Sequence, residues 1–247
     1  MNLRHRSVRI AALAFALCVA LPDAGAADRS EAAAAAATGR LTGTVVIGSH
    51  LSTRRMRFSL YPDLSRATVP AATEAPNELA NVVVYFEPAA ALSRPAGSPS
   101  APRTMRQENL SFAPHLLSIL RGSSVDFPNE DPIYHNVFSL SKGATFDLGR
   151  YPKGSSKSVS FNEPGVVKVF CHIHADMSAV IMVLDNPFFA TPDAEGRFTI
   201  PDIPAGEYTV VAWHERARPL HKKIRIEPGR DAAVRFTIPL TEQPDGE

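Results

Sequence analysis

The chain has almost no cysteine: only Cys18 and Cys171 among 247 residues. Cys18 lies in a stretch that reads as a cleaved secretory signal. Arg4, Arg6 and Arg9 make its positive start, and Ile10 to Leu21 make an apolar run too short to span a bilayer comfortably. Ala24-Gly25-Ala26 is the small-residue cleavage site, and an uncleaved anchor is the competing reading. Leu17 stands in front of Cys18 where a lipoprotein signal needs a small residue. Cleavage after Ala26 leaves Cys171 as the one thiol, which excludes an internal disulfide in an oxidising compartment. Net charge is also small. Loss of Arg4, Arg6, Arg9 and Asp23 takes the formal net charge from +1 to −1, and no basic run remains for nucleic acid or a lipid surface.

Long helical periodicity is missing as well. Beyond Gly39 short apolar or alternating runs are separated by Gly, Pro, Asn and Asp, which predicts an all-β chain. The alternation predicts strands at 42–47, 82–87, 116–120, 123–127, 136–140, 157–161, 166–171 and 179–184. A second group is predicted at 198–200, 208–213, 222–226 and 234–238. The stretches 62–77 and 88–103 are rich in proline, which breaks ladder hydrogen bonds, and are expected to be loops. The break between the two strand groups falls at Asp185-Asn186-Pro187, with Phe188 and Phe189 expected to pack between the units. Gly196 and Gly206 are expected at positive-φ turns of the second group.

Catalytic machinery is absent too: there is no G-x-S-x-G, no phosphate-cradling glycine loop, and Arg218 stands where His214-Glu215 would need a histidine to make a zinc motif. The chain is therefore not expected to be an enzyme. What is present is Cys171-His172-Ile173-His174-Ala175-Asp176-Met177, with His135-Asn136-Val137-Phe138 upstream. With a side-chain period of two, Cys171 shares the inward side of Val167 and Val169 at the end of its strand. The short loop that follows folds His174 and Met177 back toward the same point, and His135 opens a separate strand. One thiolate, two imidazoles and one thioether are the ligand set of a mononuclear blue-copper site. No His-Cys-His run accompanies them.

His135-Asn136-Val137-Phe138 with Cys171-x2-His174-x2-Met177 resembles a cupredoxin, the short loop being most similar to that of amicyanin. Phe146 to Pro152 is similar to a subfamily labelled methylamine utilisation proteins. The resemblance implies a Greek-key β-sandwich holding one type 1 copper through His135, Cys171, His174 and a weak axial Met177. It implies that Asn136 hydrogen-bonds across to the loop bearing Cys171, that His135 is the buried imidazole, and that His174 is the ligand nearest solvent. Asp176 or Glu130 is the competing oxygen contact, and Asp176 and His172 are otherwise expected to face solvent. The run Asp193 to Val210 resembles a carboxypeptidase regulatory-like, transthyretin-type β-sandwich, usually a structural or docking module.

The expected organisation is a signal peptide over 1–26, a flexible lead-in over 27–38, and a strand with a proline-rich loop over 39–79. A cupredoxin domain over 80–185, a carboxypeptidase regulatory-like domain over 186–241 and a tail over 242–247 follow. Segment 39–47 either completes the second sandwich or adds a strand to the first. The implied activity is single-electron transfer in the periplasm with redox proteins such as a c-type cytochrome or a dehydrogenase, with no nucleic acid and no membrane insertion after cleavage. A copper carrier or store and a non-redox docking protein are the alternatives.

Overall fold

The computed structural model describes residues 38–48, 77–92 and 102–239. The expected signal peptide, most of the expected lead-in, the expected proline-rich loop before Asn77 and the expected tail lie outside the described residues.

The described chain is all-β, built as two sandwiches. One is made by β1 (Thr38–Ile47) and β2 (Val82–Phe86) from the N-terminal side. Its other strands are β13 (Phe189–Ala190), β14 (Arg197–Pro204), β15 (Gly206–His214), β16 (Leu220–Ile226) and β17 (Asp231–Ile238). Its sheets run β14-β1-β17 and β13-β2-β15-β16. The other sandwich is contiguous in sequence. It begins with β3 (Arg103–Thr104), β4 (Arg106–Glu108), β5 (Ser111–Ala113), β6 (Leu116–Leu120) and β7 (Ser123–Pro128). It continues with β8 (His135–Ser141), β9 (Ala144–Tyr151), β10 (Ser156–Phe161), β11 (Gly165–Phe170) and β12 (Ser178–Leu184). Its sheets run β6-β12-β11-β8-β9 and β10-β7-β3, with β4-β5 as a separate hairpin.

One strand therefore sits elsewhere than the boundary at 80 suggests. β2 pairs antiparallel with β15 and β13, in the sandwich of the C-terminal strands. Of the two readings of segment 39–47, the pairing is with that same sandwich: β1 lies antiparallel to β14 and parallel to β17. The sequence could not sort β2 because its run Val-Val-Val-Tyr-Phe carries no polar side. Val82, Val84 and Phe86 enter one core, while Val83 and Tyr85 pack on the seam between the sandwiches. β12 is read the same way: Ala179, Ile181 and Val183 face inward, and Val180, Met182 and Leu184 face the seam. A strand buried on both faces loses the alternation that assigns it to a core.

Phe189 does pack at the seam with Trp213, but Phe188 turns into the second core against Phe86, edge on at 6.5 Å. Gly196 adopts φ 79°, and a Cβ there would lie 2.1 Å from the Val45 carbonyl oxygen. Gly206 does not take a positive φ. It opens β15, and its missing side chain makes room for the Tyr208 hydroxyl, 2.7 Å from where a Cβ would sit.

A buried polar knot closes the second sandwich beneath the one-turn 3-10 helix Glu78–Asn81. His214, 1% exposed, accepts the Arg216 backbone N–H at Nδ1 and so donates from Nε2 to Glu78 Oε2 at 3.2 Å. Arg216 Nη1 donates to the other Glu78 oxygen at 2.9 Å. Burial pushes the His214 imidazole below its ordinary value, against the attraction of Glu78. The unfolded chain then takes up a proton that the fold refuses. This contribution to stability is complete above about pH 6.5 and is lost as pH falls through the lower folded value. Urea midpoints should fall between about pH 7.5 and about pH 5, and fall less steeply in His214→Gln.

Candidate metal centre

β8 and β11 lie side by side, joined at Phe170 and Phe138, and this pairing brings the two halves of the site together. His135 begins β8, fully buried, with Val137 beside it in the core. Cys171 follows the last residue of β11, continuing the inward row of Val167 and Val169, and is 5% exposed. The loop from Cys171 to Met177 is closed by two backbone bonds, Cys171 N–H to the Met177 carbonyl at 3.1 Å and Met177 N–H to the His174 carbonyl at 3.0 Å. Those bonds fold the loop back onto His135.

His135, Cys171 and His174 converge, with all three ligand atoms within 4.8 Å of one another. The edges of the triangle are 3.1 Å between the two Nδ1 atoms, 3.9 Å from Cys171 Sγ to His135 Nδ1 and 3.7 Å from Sγ to His174 Nδ1. A point equidistant from the three lies about 2.1 Å from each, the length of a metal–imidazole bond and close to that of a metal–thiolate bond. The residues present thus fit a small transition-metal ion with soft and borderline donors. Met177 is buried in the same apolar cluster as Cys171, at 1% exposure.

Protonation favours the same atoms. His135 Nε2 faces Asp131 Oδ2 at 2.8 Å, so Nε2 carries the proton and the Nδ1 lone pair is left facing Cys171 and His174. Asp131 is itself buried and takes the Asn109 and Leu110 backbone N–H groups at 2.7 and 2.9 Å. Those two residues turn the β4–β5 hairpin at φ 54° and 59°, aiming successive N–H groups at one carboxylate. Burial pushes the Asp131 carboxyl up, but the Leu110 N–H, the His135 ring and the Asn109 N–H together hold it below the ordinary carboxylate range. Asn129 fixes the approach: its Oδ1 accepts the Asp131 N–H and its Nδ2 donates to the Ile133 and Tyr151 carbonyls. Burial, then the neighbouring His135, push the His174 imidazole down, which keeps its lone pair available.

Asn136 spans the gap as expected, its Oδ1 accepting the His172 N–H at 2.7 Å while its Nδ2 donates to Asp147 Oδ1 at 3.3 Å. His172 and Asp176 face solvent. His172 lies flat on Phe138 at 3.7 Å and 3°, and this takes Phe138 away from the rim around His174. That rim is an open depression of about 560 Å³ lined by Ile133, Tyr134, Arg150, Ile173 and half-buried His174. Glu130 is exposed beside Arg106, so the carboxylate nearest the ligands is Asp131, and it touches the far nitrogen of His135. Only its position four residues before His135 marked it in the sequence.

No family model matches the chain, and no curated protein matches it. Among solved structures, a copper-containing nitrite reductase from Thermus scotoductus SA-01 is 25% identical over 38% of this chain, with a TM-score of 0.33. The match spans 26% of the reductase chain. A purple cupredoxin from Nitrosopumilus maritimus is 22% identical over 33% of this chain and 99% of its own, with a TM-score of 0.31. A Cu(I) form of an amicyanin variant is 18% identical over 36% of this chain and 88% of its own, with a TM-score of 0.33. These likenesses to copper proteins extend over little more than a third of the chain.

Proposed function

We propose that the chain is an exported cupredoxin-type protein that holds one copper and passes single electrons between redox proteins, acting as a carrier and not as an enzyme. The observation that carries this reading is the triangle of His135 Nδ1, Cys171 Sγ and His174 Nδ1, sized for one ion, with the His135 tautomer locked by Asp131. Copper bound there would supply reversible Cu(I)/Cu(II) cycling, and a thiolate with two imidazoles serves both states.

The protein's own work is to keep these atoms from moving. His135 is anchored from behind by Asp131, Cys171 sits at the end of a paired strand, and Asn136 ties the His172 amide to β8. His174 is the ligand that meets solvent, and we read it as the exit for the electron. Ile133, Tyr134 and Ile173 around it are 40%, 58% and 40% exposed, an apolar rim suited to small, short-lived contacts with a c-type cytochrome or a periplasmic dehydrogenase. The second sandwich, which brings no comparable cluster among the described residues, is assigned the docking role of carboxypeptidase regulatory-like modules. We read residues 1–26 as an export signal, which supports a periplasmic location.

The test is copper titration of the purified mature chain. Binding of one equivalent, an intense thiolate-to-copper band, a narrow copper hyperfine splitting and a reversible one-electron wave are expected. A colourless complex that hands Cu(I) readily to a chelator would replace this reading with that of a copper carrier.

A further inference from the structure

His115 has no ligand-like partner within reach in sequence, yet it stands between the two sandwiches. Its ring bridges Ser178 of the metal-binding sandwich and Glu215 of the other: Nδ1 lies 3.1 Å from the Ser178 carbonyl and Nε2 lies 2.7 Å from Glu215 Oε1. A carbonyl and a carboxylate oxygen both accept, so each ring nitrogen faces an acceptor and the ring can donate from both, as an imidazolium paired with the Glu215 carboxylate would. The hydrogen bond from His115 is the main reason the Glu215 carboxyl is held below its ordinary value, against its burial.

The position of each end gives the pair its meaning. Ser178 is the residue after Met177 and the first of β12, opposite Phe170, which precedes Cys171. The His115 carbonyl also accepts the Val180 N–H at 2.8 Å, so His115 grips the start of β12 through ring and backbone. Glu215 is offered by the turn after β15, and that turn is fixed by the buried His214 and Arg216 on Glu78. A hydrogen-bonded corner of one sandwich is thus tied to the residue that follows the ligand loop in the other.

The geometry points to Glu215 and His115 as a positioning pair that makes the second sandwich part of the frame of the copper site. For its functional meaning this rests on the copper reading above. The second sandwich then does more than present a surface to partners: it limits how far the loop from Cys171 to Met177 relaxes when the metal changes charge.

The experiment compares Glu215→Ala and the milder Glu215→Gln with Asp185→Ala. The last removes the Arg121–Asp185 pair, at the far end of β12 from Met177, and so controls for loss of an ion pair that touches β12 away from the ligand loop. In metal-free protein, amide exchange of Cys171 and Met177 is expected to quicken about tenfold or more in Glu215→Ala, less in Glu215→Gln, and not in Asp185→Ala, a local opening of the kind that leaves the global fold intact. In copper-loaded protein, the charge-transfer band and the reduction potential are expected to move in the same order, with Glu215→Asp restoring them in part. Unchanged exchange at Cys171 and Met177 in Glu215→Ala, or an equal change in Asp185→Ala, overturns the proposal. Should the wild type bind no copper, the copper reading fails, while the metal-free exchange still decides whether the pair holds the loop.

Discussion

Cys171→Ser is expected to abolish the intense visible absorption of the copper-loaded protein and its one-electron wave. Serine fills nearly the same space at a position 5% exposed, so the fold should persist and the loss can be charged to chemistry. In the proposed copper site the thiolate would be the soft donor of the triangle and the ligand whose electrons give the charge-transfer band. A hydroxyl stays protonated at neutral pH and leaves two imidazoles, His135 and His174, as the remaining strong donors. Copper affinity should therefore fall by more than the roughly 10–100-fold that follows loss of an outer hydrogen-bond partner. Met177→Leu should behave differently, keeping the band and shifting the potential. Spectral titration with electrochemistry of both variants checks this. A Cys171→Ser protein that keeps its band would remove Cys171 from the ligand set.

The second large effect is expected at Asp131. Three donors converge on its carboxylate, the Asn109 and Leu110 N–H groups and His135 Nε2. An asparagine offers one accepting oxygen and one donating NH2, so Asp131→Asn must set a donor against a donor on one side or the other. Leaving a buried N–H without a partner costs about 1–3 kcal/mol, which urea unfolding of the metal-free protein should register. Loss of the carboxylate charge behind His135 also removes a group that favours the more positive oxidised centre. The reduction potential should rise, and copper affinity should fall about 10–100-fold. A lower or unchanged potential would show that Asp131 serves the fold alone.

The ligand loop was the most legible part of the sequence because its members are close along the chain. Cys171, His174 and Met177 fall within one turn of chain, and the alternation of Val167 and Val169 sets which way Cys171 points. His135 could be added because it opens a strand with the same inward pattern. Asp131 was hidden because its meaning depends on Asn109 and Leu110, 22 and 21 residues away, whose backbone N–H groups fold onto it. β9 gives no clear strand signal in the sequence, although Ala144, Phe146 and Leu148 pack against the core around Cys171 in alternation. The Asp147, Gly149 and Arg150 set among them carry the composition of a loop. β2 failed for the opposite reason, being apolar on both sides. His115 and Glu215 stand 100 residues apart in unlike surroundings, and only the docking of two sandwiches brings them together.

The pairing of β1 with β17 has a consequence for the order in which the protein can form. Thr42 Oγ1 bonds the Ala232 carbonyl across 190 residues of chain, so one core stays open until the last described strand is available. The strands from β3 to β12 are contiguous and need nothing from either end of the chain to pair with one another. Where the flanking sandwich receives them, Asn186 Nδ2 bonds the Phe86 carbonyl at 3.0 Å and Phe86 N–H bonds the Phe188 carbonyl, which fastens entry to exit. A chain emerging amino end first would complete its metal-binding core early and seal the surrounding core last, because long-range pairing waits on loop closure. The half-made outer sandwich, with β1 waiting for both neighbours, is the stage most exposed to pairing with the wrong edge.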